Sequence, residues 1–149
     1  MEKIDVPDEL KEFLRLLTES GVRFMLVGGY ALARHGYVRA TGDIDLWIDD
    51  CAENVARLGG AVVDFGFKLN IPDNPFGERN MLRMGMPPLR IEVLKEISGV
   101  TFEECWPNQV MAVVNGFSVP CISKPDLIKN KSASARGKDL IDVQELEGL

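Results

Sequence analysis

Asp43 and Asp45 are two residues apart, at the start of the apolar run Leu46-Trp47-Ile48. On an extended strand this spacing sends both carboxylates to one face, while Ile44, Leu46 and Ile48 leave by the other. Adjacent carboxylates repel unless a cation lies between them, and hard oxygen ligands suit Mg²⁺ or Mn²⁺. A turn at Gly42-Asp43 is the alternative use of the same residues. Upstream, Gly28 and Gly29 close another apolar run, Phe24 to Val27, where a strand is expected to pass into a helix. Bare amide N–H groups at a helix start attract phosphate. A phosphate cradle beside a carboxylate pair is the apparatus of metal-assisted phosphoryl or nucleotidyl transfer.

The ordered set Gly28, Gly29, Thr41, Asp43 and Asp45 resembles the nucleotidyltransferase superfamily, whose fold is that of DNA polymerase β. The run from Gly28 to Asp45 is most similar to AbiEii-type and related small bacterial nucleotidyltransferases: Gly-Gly-x-Ala-Leu-x-x-His-Gly-x-x-Arg-x-Thr-x-Asp-hydrophobic-Asp. The resemblance implies an α/β two-layer fold, a mixed sheet flanked by helices. It also implies a nucleoside triphosphate substrate, a Mg²⁺ or Mn²⁺ cofactor and a hydroxyl acceptor, such as a tRNA end, a protein, an antibiotic or a metabolite. A third carboxylate is expected on a neighbouring strand. In Leu89-Arg90-Ile91-Glu92-Val93-Leu94, Ile91 and Val93 point to a core, so Glu92 shares the outer face with Arg90. Glu92 could complete the metal ligands and take the proton of an attacking hydroxyl. It could also be one half of a solvated Arg90–Glu92 pair of little energetic weight. The family more often carries Asp there, and often Ser at the position of Gly29.

Arg39, Thr41, Lys131 and Lys138 are the candidates to meet the phosphates. The last two lie in a segment similar to the family's C-terminal Lys…Lys-Asp-x-x-Asp pattern. From residue 124 to 138 there are five bases against one acid, Asp126. An ordinary i,i+4 pair of Lys138 with Asp142 is the alternative, and Asp139 and Asp142 could also support the fold by pairing with Arg136 or the basic segment. His35, the only histidine, stands where a helix should end before Gly36, a place for bonding free carbonyls. Trp47 could flank a nucleotide base or pack in the core.

These residues need a scaffold, and the chain supplies one. At 149 residues with net charge −6, it suits a single nucleotidyltransferase-like domain over residues 1–149. A large, uniformly basic nucleic-acid surface is not expected at that charge. No apolar run is long enough for a membrane span, and without a leader-like N-terminus the expected location is cytoplasmic. Cys51, Cys105 and Cys121 lack metal-site spacing. Apolar periodicity and caps predict helices over 7–20, 29–35, 52–65, 125–135 and 138–147. Strands are expected over 24–27, 43–49, 67–71, 81–84 and 89–94, and a hairpin over 110–122 turning at Asn115-Gly116. A non-catalytic nucleotide-binding module, or a toxin–antitoxin component acting through a protein partner, is the competing reading.

Overall fold

The computed structural model describes residues 3–4, 6–38, 42–69, 74–86 and 90–149. Seven strands form one mixed sheet: β1 (Lys3–Ile4), β2 (Phe24–Val27), β3 (Asp43–Ile48), β4 (Met81–Met84), β5 (Arg90–Leu94), β6 (Val110–Val114) and β7 (Phe117–Cys121). Their order is β1-β6-β7-β2-β3-β5-β4. The helices are α1 (Asp8–Glu19), α2 (Gly28–Arg34), α3 (Ala52–Asp64), α4 (Phe102–Cys105), α5 (Lys124–Ser134) and α6 (Gly137–Glu147). A mixed α/β architecture of this kind is the fold class expected from the sequence.

The centre of the sheet is apolar on both faces. Phe24, Met25, Leu26 and Val27 of β2 are all buried, as a strand between two neighbours requires. On β3, Ile44, Leu46 and Ile48 are fully buried, while Asp43 and Asp45 are half-buried on the other face. The hydrophobic stripe of α1, Leu10, Phe13, Leu14 and Leu17, is sealed into the core, where α1 packs on α3. α3 tolerates Gly59 and Gly60, and Gly59 is itself buried.

The β6–β7 hairpin turns through Asn115 and Gly116, both at positive φ, 48° and 81°, as a type I′ turn demands. Asn115 does a second job. Its Oδ1 accepts from the Val6 amide at 2.9 Å, and its Nδ2 donates to the Val6 carbonyl. That side chain pins the segment after β1 to the hairpin.

Three local outcomes differ from the sequence expectation. Residues 67–69 are not strand, and the remainder of that expected strand lies outside the described residues. Phe67 instead caps α3, donating its amide to the Val62 carbonyl at 3.2 Å. β1 was not foreseen, being only two residues long. Nor was α4, although Thr101 and Glu104 form a capping box at its start. No described helix is long and apolar enough to cross a membrane.

Candidate functional site

Strand register builds the site. β2 runs antiparallel to β3 with Val27 opposite Asp45, and β3 runs parallel to β5 with Asp45 opposite Glu92. β5 runs antiparallel to β4 with Glu92 opposite Arg83. A straight row of side chains therefore crosses four strands: Val27, Asp45, Glu92, Arg83. A second row holds Asp43 opposite Arg90.

Gly28 follows Val27 at φ +65°, a conformation that a side chain disfavours. A Cβ at this position would overlap the Asp45 carboxylate. The glycine is thus required twice, by its backbone and by the acid pressed against it. Gly29 is different. It is buried in the first turn of α2, and only Gly28 lines the adjoining cleft. That cleft, of about 200 Å³, is bounded by Val27, Gly28 and Asp45 on the sheet side and by Lys131, Arg136 and Asp139 on the helix side.

The carboxylates do not share one environment. Asp45 Oδ1 is buried and has no hydrogen-bond partner. Burial pushes the Asp45 pKa up to about 7, helped by the charge of Glu92, a hydrogen bond to Glu92 and the charge of Asp43; Lys131 opposes the rise. Glu92 is also gripped from the other side, since Arg83 donates to its Oε1 from Nη2 at 2.8 Å and from Nε at 3.0 Å. Asp43 lies 3.6 Å from Arg90 Nε. The Arg90–Glu92 pairing considered from sequence is therefore replaced by two others, each between neighbouring strands.

Among the described residues no three Asp, Glu, His or Cys groups meet tightly enough to form a ready cation cage. Mg²⁺ does not need one: it is commonly held by one or two carboxylates plus substrate phosphate oxygens. The unclaimed Asp45 Oδ1, on the face shared by Asp43 and Glu92, fits such a demand.

Lys131 is brought to the cleft but is already engaged. It is 6% exposed, and its Nζ donates to Asp139 Oδ1 at 3.3 Å and pairs with Asp142 Oδ2 at 3.2 Å. Asp139 Oδ2 accepts in addition from Ser134 Oγ and Arg136 Nε, both at 2.8 Å. Burial pushes the Asp139 pKa up, but Arg136, Ser134 and Lys131 together outweigh it and hold the value near about 2. Lys138 is exposed on the first turn of α6 and does not line the cleft. Asp142 turns inward to Lys131. Arg39 and Thr41 lie outside the described residues.

His35 Nε2 lies 2.8 Å from the Ile122 carbonyl oxygen, so the ring ties the end of α2 to the strand that leads into α5. Burial lowers its pKa. Trp47 is buried, donates to the Lys95 carbonyl at 3.3 Å and meets Phe102 edge-on at 5.3 Å. Two residues were missed from sequence. Arg83 had no visible signal, because only the β4–β5 register brings it to Glu92. Tyr30 had one, its place two residues after Gly28. Burial raises its pKa, and the charges of Asp43 and Asp45 add to that.

No protein-family model and no curated protein sequence matches the chain. Solved structures do. The lincosamide antibiotic adenylyltransferase LnuA, in its lincomycin-bound form, superposes with a TM-score of 0.63 at 17% identity, over 97% of this chain and 98% of that one. The antibiotic-resistance factor ANT(2″)-Ia gives 0.62 at 17% identity, over 93% and 80%. Its complex with adenylyl-2″-tobramycin gives 0.57 at 17% identity, over 92% and 84%. The fold of this chain is the nucleotidyltransferase fold.

Proposed function

We propose that this protein transfers a nucleoside monophosphate from a nucleoside triphosphate to a hydroxyl acceptor, with Mg²⁺ or Mn²⁺ as cofactor. The observation that carries the reading is Asp45. Its Oδ1 is buried without a partner, Gly28 gives up a side chain to admit its carboxylate, and Glu92 stands beside it. A structural aspartate at that depth would have been given a cation or a set of amides.

Asp43 and Asp45, with Glu92, would hold the divalent ion. When bound, it would neutralise phosphate charge and polarise the α-phosphoryl group. Gly28 keeps the approach to Asp45 open. Arg136, exposed at the cleft wall, and Lys138, Arg39 and Thr41 are the groups proposed to meet the outer phosphates. Lys131 would act from beneath, lowering the cost of ionising Asp45 while fixing α5 to α6. Glu92 would accept the acceptor's hydroxyl proton. The hydroxyl oxygen would then bond to the α-phosphorus as its bond to pyrophosphate breaks. Positioning and charge neutralisation supply most of the rate in such transfers.

Lincomycin and tobramycin, named with the structural neighbours, make a small hydroxyl compound one class of acceptor to try; a tRNA end or a protein is another. The decisive experiment is incubation of the protein with each α-labelled nucleoside triphosphate, Mg²⁺ and a cell lysate. A labelled product should form with wild type and vanish with Asp43→Asn/Asp45→Asn. Equal labelling by both proteins would refute the proposal.

A second reading, a non-catalytic component acting through a protein partner as in toxin–antitoxin pairs, is favoured by α6. That helix buries Asp139 and Asp142 but leaves Leu140 and Ile141 49% and 55% exposed. Nucleotide binding without transfer to anything in the lysate would support it.

A further inference from the structure

The β4 edge of the sheet carries a groove of about 940 Å³, running from Lys68 and Leu69 past Phe76 and Arg79 to Arg83. We propose that this groove is the acceptor site, and that its ligand is a hydroxyl compound carrying phosphate. The inference rests on the nucleotidyl-transfer reading and names the substrate class for it.

Direction comes first. Attack on the α-phosphorus is roughly in line with the departing pyrophosphate. The row across the sheet runs from Gly28 beside Asp45, through Glu92, to Arg83. With the leaving group over Gly28, the acceptor oxygen must arrive from the far end of the row, over Glu92 and from the β4 side. Arg83, at that end, also lines the groove.

Charge selects the class. The chain carries net charge −6, yet the groove is lined by Lys68, Arg79 and Arg83 against Glu78 alone. Local cationic excess on an acidic protein attracts anions to that place. Its volume suits a small-molecule or terminal-nucleotide ligand. Arg83 joins groove to chemistry: its guanidinium holds Glu92, yet the side chain is 52% exposed, so its remaining N–H groups can meet a phosphate oxygen. The acceptor oxygen bonds to the α-phosphorus, the bond to pyrophosphate breaks, and the hydroxyl proton passes to Glu92. A phosphate ester with a free hydroxyl describes both a small sugar phosphate and the terminal nucleotide of single-stranded RNA.

The test uses the full chain and two probes, a 5′-fluorescein RNA hexamer with a free 3′ hydroxyl, followed by anisotropy, and glucose 6-phosphate as competitor. Lys68→Glu/Arg79→Glu alters two exposed side chains; circular dichroism checks its fold. It should weaken hexamer binding at least ~10-fold and flatten the salt dependence by about one unit of log–log slope per cation removed, with ATP–Mn²⁺ affinity unchanged. Displacement of the hexamer by glucose 6-phosphate assigns the site to small esters; resistance to it assigns the site to RNA ends. Absent binding of both probes to wild type, or equal hexamer binding by the variant, overturns the inference while ATP binding leaves the transfer reading standing. Tighter binding of spermine than of either phosphate compound would also overturn it, pointing to the pocket beside Trp47 with Asp49, Asp50, Glu96 and Glu103. Failure of wild type to bind ATP with Mn²⁺ would sink the transfer reading, and the acceptor role with it.

Discussion

The molecule holds two clusters of carboxylates, and they have opposite fates. In the α5–α6 corner, Asp139 and Asp142 are buried to 0% and 1% exposure, yet Lys131, Arg136 and Ser134 meet them from all sides. On the sheet, Asp45 is pressed between Gly28 and Glu92 with one oxygen unpartnered. The pKa values record the difference, about 2 at Asp139 and about 7 at Asp45. The same side chain is thus a finished joint in one place and a strained, proton-hungry group in the other. Groups held at a cost are where function is expected, and the contrast can be broken from either end.

The largest effect is expected from Glu92→Gln. The amide keeps the size and can still accept from Arg83, but cannot take a proton. Turnover should fall ~10²–10⁴-fold with triphosphate binding retained, as measured by transfer assay and calorimetry side by side. Unchanged turnover would remove Glu92 from the chemistry. Next is Lys131→Met, which strips the cation from two buried acids. Breaking a buried ion pair by removing one partner costs about 3–5 kcal/mol, read as a lower urea midpoint. A loss below about 1 kcal/mol would mean that the corner is not the joint described here. The two variants should also separate cleanly: the first loses rate and keeps stability, the second loses stability first.

Much of this contrast was legible in the sequence, and its limits have physical causes. Asp43 and Asp45 on one face, Glu92 on a neighbouring strand and the Asn115-Gly116 turn follow from local periodicity and turn chemistry, which depend on few residues. The partner of Glu92 was not legible, because Arg83 reaches it only through β4–β5 register. The pairing of Asp139 and Asp142 with Arg136 and the basic segment was legible as charge complementarity; that one lysine, Lys131, takes both acids is a tertiary choice. The glycine pair was half legible: a strand passing into a helix there was anticipated, but only the fold shows that Gly28 lies against the Asp45 carboxylate.

Gly28→Ala should therefore hurt more than its size suggests. The left-handed conformation costs an alanine roughly 1–2 kcal/mol, and the methyl must displace the Asp45 carboxylate. Gly116→Ala is the control, since Gly116 has positive φ but nothing within 4 Å of the added Cβ. Both should lower the melting temperature through the backbone term, while only Gly28→Ala should weaken Mn²⁺-dependent triphosphate binding. Equal loss of binding in both would separate Gly28 from the site.

The smallest effect is in pH. Asp45 has a folded pKa near 7 against an ordinary 3.8, so between those values the folded state binds more protons than the unfolded one. Stability from this group is then highest at low pH and declines as pH rises toward and through about 7. Asp139 works in reverse: its depressed value adds stability above about 4 that is lost as pH falls toward 2. In the metal-free protein, Asp45→Asn should remove the decline on the alkaline side and leave the acid side untouched. The variant should melt above wild type at pH 8, with the gap closing as pH falls toward 4, in scans taken with a chelator present. Mg²⁺ or Mn²⁺ should raise the melting point of wild type at pH 8 and not that of the variant, because a cation at Asp45 offsets the buried carboxylate charge. Parallel melting curves across the whole pH range would show that Asp45 is as settled as Asp139, and the contrast between the two clusters would be gone.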